Sequence, residues 1–222
     1  MPLSTTLQAG ERLVLGRTLE GARTYLAVKG GLRNAIRLGS HSTEQPLRRG
    51  DFLRTGQSRL ATRRPGEISP IAADATPIRI VDGPDSGSLS DSRGLEHVPF
   101  RVGSRSNRMG LRLEGPALAT IAEPDRLSAP VAPGAIQAAG GQLIILGVAG
   151  GTMGGYPHVA HVISADLDRI GQLRPGDVIT FRRVSVGEAR ELDRQSRQAQ
   201  RALLARVGSL ARDHASVKIR PD

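Results

Sequence analysis

Three arginines, Arg105, Arg108 and Arg112, fall within eight positions of the stretch Arg101-Val-Gly-Ser-Arg-Ser-Asn-Arg-Met-Gly-Leu-Arg-Leu-Glu-Gly-Pro116. Ser104, Ser106 and Asn107 are interleaved with them. A guanidinium is a planar fork that grips carboxylate or phosphate through two parallel hydrogen bonds. Gly103 and Gly110 would let the backbone turn sharply or lie close to a ligand. A second segment, Leu146-Gly-Val-Ala-Gly-Gly-Thr-Met-Gly-Gly-Tyr-Pro157, places five glycines between Gly147 and Gly155. Consecutive amides in such a loop can form an anion nest. No Lys-Ser/Thr follows, and the spacing is not Gly-x-Gly-x-x-Gly, so neither familiar phosphate loop is present. From residue types alone, the arginines are either a binding surface or the solvated side chains of an edge hairpin.

Other chemistries fit less well. The chain has no cysteine, which excludes disulfides, thiolate metal sites and a cysteine nucleophile. His158 and His161 are three apart in a strand-like run. Strand alternation would send them to opposite faces, so no metal site is expected. Gly39-Ser-His-Ser-Thr43 and Gly103-Ser-Arg-Ser106 are not the Gly-x-Ser-x-Gly elbow of a serine hydrolase.

The net charge is +10, with 31 basic residues of which only Lys29 and Lys218 are lysine. Residues 182–222 carry ten basic and five acidic side chains. The two Tyr, three Phe and no Trp offer no stacking platform, so a solvated basic tail is preferred to nucleic-acid binding. Nothing at the start resembles a signal peptide, and no apolar run approaches a membrane span. A cytoplasmic location without membrane association is the expectation.

The elements that must position these residues read as short strands and turns. Leu7-Gln-Ala-Gly-Glu-Arg-Leu13, Leu47-Arg-Arg-Gly-Asp-Phe-Leu53 and Leu173-Arg-Pro-Gly-Asp-Val-Ile179 share the pattern Leu-x-x-Gly-acid-x-aliphatic. The pattern suits a tight turn: Gly takes positive φ and the acid bonds nearby amides. Strands are predicted at 12–15, 24–28, 52–53, 78–81, 143–146, 159–163 and 178–181, and loops at 56–77 and 82–99. The 143–146 run is continuously apolar, predicting burial on both faces. In Leu111-Arg112-Leu113-Glu114, alternation sends the leucines to one face and Arg112 with Glu114 to the other. From Gly187 the apolar spacing becomes helical, through Leu192, Ser196, Ala199, Leu203, Val207 and Leu210. That helix docks on the barrel or a partner, or presents basic side chains to an acidic surface. The predicted architecture is mostly β, with a β domain at 1–185 and a basic amphipathic helix and tail at 186–222.

The stretch Ser104-Arg-Ser-Asn-Arg-Met-Gly-Leu-Arg-Leu-Glu-Gly-Pro116 resembles a block of the biotin-dependent carboxyltransferase family. That family includes urea carboxylase carboxyltransferase domains, allophanate hydrolase subunit 2 and the C subunit of 5-oxoprolinase. Collinear matches are Arg23-Thr-Tyr-Leu-Ala-Val-Lys-Gly-Gly31, Leu38-Gly-Ser-His-Ser-Thr43, Pro133-Gly-Ala-Ile-Gln137, Gly154-Gly-Tyr-Pro157, Val162-Ile-Ser-Ala-Asp-Leu167 and Leu173-Arg-Pro-Gly-Asp177 through Phe181-Arg-Arg-Val184. The resemblance implies cyclophilin-like β-barrel subdomains and a companion subunit of related fold, the B subunit in the oxoprolinase. It implies action on a small urea-like or 5-oxoproline-like amide, with biotin on a partner carrier or ATP in the complex and no cofactor held firmly by this chain.

The implied catalytic residues are Arg108 and Arg112, for an anionic group, and Gly154 and Gly155, whose amides would stabilise developing negative charge. The implied substrate-binding residues are Gly39, Ser40, Ser42, Thr43, Ser104, Asn107, Met109, Gly110, Gln137, Tyr156 and Pro157. The pattern departs from the family in three places. The chain starts after the section carrying Val-Gln-Asp-x-Gly-Arg, and the glycine-rich loop expected after Thr43 is replaced by Glu44-Gln45-Pro46. Ala149 and Gly151 stand where the family has Asp and Gln. The rival reading is therefore a catalytically inactive binding or regulatory module of the same fold.

Overall fold

The computed structural model describes residues 5–43, 45–57, 77–96, 98–116, 118–119 and 126–213. It divides into two compact units. The first comprises Met1–Val14, Thr24–Ile68 and Leu203–Asp222, and the second Leu15–Arg23 with Ser69–Ala202. Most of the predicted 56–77 loop and residues 214–222 of the tail lie outside the described residues.

The second unit is built on an eight-stranded sheet. Its strands are β1 (Ile78–Asp82), β2 (Phe100–Val102), β3 (Gly110–Glu114), β5 (Ala135–Ala139), β6 (Gln142–Leu146), β8 (His158–Val162), β9 (Val178–Ile179) and β10 (Phe181–Arg183), in the order β10-β1-β8-β5-β6-β3-β2-β9. Two short strands, β4 (Ala129–Pro130) and β7 (Met153–Gly154), pair separately. The two ends of the order, β9 and β10, are neighbours in the chain, separated only by Thr180. One bent segment therefore pairs with β2 on one side and with β1 on the other, and the sheet curls into a nearly closed barrel. Closure removes the open edges that an eight-stranded sheet would otherwise leave. The prediction of a mostly β barrel with a C-terminal helix holds.

The inside follows from alternation. Leu111 and Leu113 of β3, Leu143 and Ile145 of β6, Ile136 and Ala138 of β5, and Ala160 and Val162 of β8 are buried together. Phe100 and Phe181 are also buried, with ring centroids 5.6 Å apart, so two aromatic rings complete an otherwise aliphatic core. The 143–146 run differs from expectation. Leu143 and Ile145 are buried but Ile144 and Leu146 only partly so, because the outer face of the sheet is covered by loops and not by a second layer. The predicted 82–99 loop contains two short 3-10 turns, Ser86–Ser88 and Ser92–Leu95. A short helix α1 (Leu167–Ile170) precedes the last strands, and α2 (Val186–Asp213) follows them, one residue before the predicted helix start.

In the first unit the strands predicted at 12–15, 24–28 and 52–53 do not form ladders. Among its described residues only isolated bridges occur, Leu32 with Thr55 and Arg37 with Ser40. A β-prone run becomes a strand only where a second run answers its N–H and C=O groups. The repeated turn, by contrast, is found three times. Gly10, Gly50 and Gly176 have φ of 89°, 96° and 96°. In each turn the acid's amide donates to a carbonyl three residues back, and its carboxylate accepts from that residue's amide: Gln8 with Glu11, Arg48 with Asp51, Arg174 with Asp177. Positive φ at the third position of a four-residue turn is the requirement that glycine meets.

Candidate functional site

The loop joining β2 to β3 is tied internally before it can offer anything to a ligand. The Gly103 amide donates to the Arg112 carbonyl at 2.8 Å, and Ser106 Oγ accepts the Arg112 amide at 3.0 Å. Asn107 and Gly110 exchange backbone bonds of 3.1 and 3.2 Å, while Asn107 Oδ1 accepts the Met109 amide at 2.8 Å. Two of the polar side chains that looked available, Ser106 and Asn107, thus shape the loop. Ser104, Arg105, Arg108, Met109 and Arg112 are exposed, and Gly110 is partly so. Because β3 pairs with both β2 and β6, Arg112 stands on an interior strand and the edge-hairpin alternative is set aside.

The glycine-rich segment lies against this loop. The Gly147 amide donates to the Met109 carbonyl at 2.9 Å and the Ala149 amide to the Arg108 carbonyl at 3.3 Å. A Cβ on Gly147 would sit 2.3 Å from the Arg108 oxygen, and one on Gly150 would sit 2.8 Å from the Met109 oxygen. Glycine is required here by close backbone approach. The amides of Gly147 and Ala149 answer protein carbonyls, so an anion nest at that end of the loop is ruled out as a use for them. At the junction is a small open depression of about 50 Å³, bordered by Arg23, Asn107, Arg108, Gly147 and Val148. Typical sites for drug-sized ligands measure roughly 300–1,000 Å³. This one accommodates a small group.

The Gly154-Gly-Tyr-Pro157 end covers the outer face of the barrel. Pairing places Arg112, Ile144, Gln137 and His158 side by side across β3, β6, β5 and β8. Gln137 is 4% exposed although it points outward, because the loop lies over it. Its Nε2 donates to the Tyr156 carbonyl at 3.4 Å, and the Ala138 amide donates to the Pro157 carbonyl at 3.0 Å. A Cβ on Gly154 would come within 2.2 Å of Gln137 Nε2. Gln137 therefore positions the loop from below. Gly155 and Tyr156 are exposed above it.

Gly39, Ser40, Ser42 and Thr43 belong to the first unit. There Arg37 and Ser40 exchange backbone bonds of 2.8 and 2.9 Å, Gly39 has φ 77°, and Ser40 Oγ accepts the Ser42 amide at 3.0 Å. Ser42 and Thr43 line an open hollow of about 280 Å³ with Asn34, Arg37, His41 and Asp51. The predicted residues thus fall in both units, and within the second unit Asn107, Arg108 and Gly110 border the depression whereas Arg112, Gly154, Gly155 and Tyr156 do not.

Three features were missed from sequence. Arg23 borders the small depression, its Nη1 donating to the Gly171 carbonyl. Asp85 accepts the His158 amide at 2.8 Å and pairs with Arg126. The two histidines do not face opposite sides: His161 Nδ1 lies 3.2 Å from His158 Nε2. The reason is a β-bulge. Ile136 pairs with Ala160 and Gln137 with His158, so Val159 is an extra residue and the alternation slips by one. Two successive apolar residues, Val159 and Ala160, were the available signal. Burial holds the His158 imidazole below its ordinary range against the opposing pull of Asp85. Burial, with His158 alongside, does the same to His161.

A family model described as carboxyltransferase domain, subdomain A and B, matches residues 1–183. The chain is 33% identical over 196 residues to the C subunit of 5-oxoprolinase from Escherichia coli, covering 82% of this chain and 63% of that protein. It is 33% identical over 207 residues to the Haemophilus influenzae protein of the same name, covering 86% and 65%. The chain therefore spans just under two thirds of the length of these curated relatives. The crystal structure of Kluyveromyces lactis urea amidolyase superposes with a TM-score of 0.70 at 27% identity, over 85% of this chain and 14% of that one. The urea carboxylase structure from the same yeast gives 0.70 at 28%, over 85% and 20%.

Proposed function

The chain belongs to the carboxyltransferase-domain family, and on that premise we propose that it is a subunit of a complex acting on a small urea-like or 5-oxoproline-like amide with a companion subunit of related fold. The observation carrying this reading is the backbone contact between residues 108–109 and residues 147–149, which joins the arginine loop to the glycine loop around one small depression.

In the proposed reaction Arg108 and Arg112 hold the anionic group of the substrate. The guanidinium of Arg112 makes no hydrogen bond or ion pair among the described residues, so it is available for a ligand. Strands stand about 4.8 Å apart, which puts Arg112 roughly 10 Å from Gln137 and the loop above it, within span of a small substrate and a long side chain. The amide of Gly155 stabilises negative charge as it develops on an attacked carbonyl oxygen, whereas that of Gly154 answers the Ala129 carbonyl in the β4–β7 pairing and holds the loop in place. Gln137 positions the loop from below. Biotin on a partner carrier would supply a carboxyl group, or ATP in the complex would drive amide opening. Either leaves this chain the task of binding a small planar anion, which exposed guanidiniums and loop amides fit. A cytoplasmic setting suits these chemistries.

A second reading, a binding or regulatory module without catalysis, is favoured by Ala149 and Gly151. Neither side chain can transfer a proton or orient a substrate. Binding measured beside turnover separates the two readings. In the reconstituted complex, Arg108→Ala and Arg112→Ala should each weaken binding of 5-oxoproline or a urea-like amide about tenfold, some 1.4 kcal/mol. Equal affinity of both variants and the parent would overturn the site. Binding retained with no turnover by the parent complex would select the module.

A further inference from the structure

Among the described residues outside the loops just discussed, two imidazoles are set close together on the barrel, and the fold deviates from regular alternation to bring them there. The bulge at Val159 turns His158 and His161 to the same outer side of β8. Bulges commonly serve to re-aim a side chain. The facing nitrogens, His158 Nε2 and His161 Nδ1, are 3.2 Å apart, and the ring centroids are 5.3 Å apart with planes tilted by 52°. Two imidazoles sharing one ion at ~2.05 Å each would have nitrogens about 2.9–3.3 Å apart and centroids about 4.5–5.2 Å apart for coordination angles between octahedral and tetrahedral, so the observed pair lies near the tetrahedral end.

We propose that His158 and His161 form a two-histidine site for a first-row divalent cation such as zinc, nickel or copper. Imidazole pairs suit these ions, whereas magnesium and calcium want oxygen ligands. Asp85 braces His158 from its backbone amide and is itself paired with Arg126, which makes it a support and not a ligand. Among the described residues no group of three His, Cys, Asp or Glu is placed to hold an ion, so the remaining positions fall to water or a small ligand. His161, though not His158, lines a cleft of about 190 Å³ with Ser164, Arg190 and Asp193.

The test is titration of the full chain with Zn2+ alone by calorimetry, paired with Cu2+ electron paramagnetic resonance. One equivalent should bind with micromolar affinity, and the copper spectrum should report two imidazole nitrogens. His158→Ala and His161→Ala should each weaken binding at least tenfold, with His41→Ala as the unaffected control. His161→Gln serves if the alanine variant loses its circular dichroism. Binding that survives removal of both histidines would overturn the proposal. So would no binding above that of the double variant, which would leave a plain N–H···N hydrogen bond. The readout is independent of amide turnover, so it stands or falls apart from the proposed function.

Discussion

Asp166 is fully buried, and its charge is sustained by what surrounds it. It accepts from the Arg79 amide at 2.8 Å, from Arg79 Nε at 3.0 Å and from Arg79 Nη2 at 2.5 Å, with Arg169 Nη1 at 3.5 Å. Burial pushes its carboxyl up, but the Arg79 hydrogen bonds and the two guanidinium charges outweigh that and hold it below the usual carboxylate range. A depressed folded-state pKa contributes stability that is complete above the unfolded value and is lost as pH falls through the folded one. Chemical denaturation between pH 7 and pH 3 should therefore show parent stability declining at the acid end, with Asp166→Asn much flatter there. At pH 7, Asp166→Ala should cost about 2–3 kcal/mol, less than a fully buried pair because Arg79 is partly exposed. This aspartate sits in the Val162–Leu167 family motif, which the structure explains as fold and not as chemistry. At this scale Arg112 was legible, since simple alternation put it outside. The histidine pair was not, because one bulged residue reverses the face of everything beyond it.

Among the elements, the Leu-x-x-Gly-acid turn was legible in full, because its geometry depends only on residues within it. The ladders were legible where two β-prone runs answer each other and failed in the first unit, where partners must come from elsewhere in the chain. The contact between loops 103–110 and 147–150 was visible only as two glycine-rich segments, with nothing in the spacing to say that they touch. Gly147→Ala tests that contact directly. Its Cβ would meet a backbone oxygen that cannot swing aside, so the substitution should destabilise the barrel by about 1–3 kcal/mol. Amide exchange at Gly147 and Ala149 should quicken with it. Unchanged exchange would mean that the loops are not held together as described.

For the molecule as a whole, the barrel closes on itself through Thr180, while the first unit leaves Val14, Tyr25, Ile36 and Phe52 largely exposed. Large apolar side chains on a surface are where partners bind, and the proposed companion subunit would cover them. Composition and periodicity pointed to the barrel and helix, and the family motifs pointed to the site. What residue types could not convey was the division into two units, since chain segments on either side of residues 15–23 return to the same body. The central claim is that this chain completes an amide-acting complex. It is tested most directly by ATP-dependent cleavage of 5-oxoproline, assayed with the companion subunit alone, this chain alone and the two together. The account predicts turnover only in the combined sample, falling at least tenfold with Arg108→Ala. Equal turnover by the companion alone would contradict it.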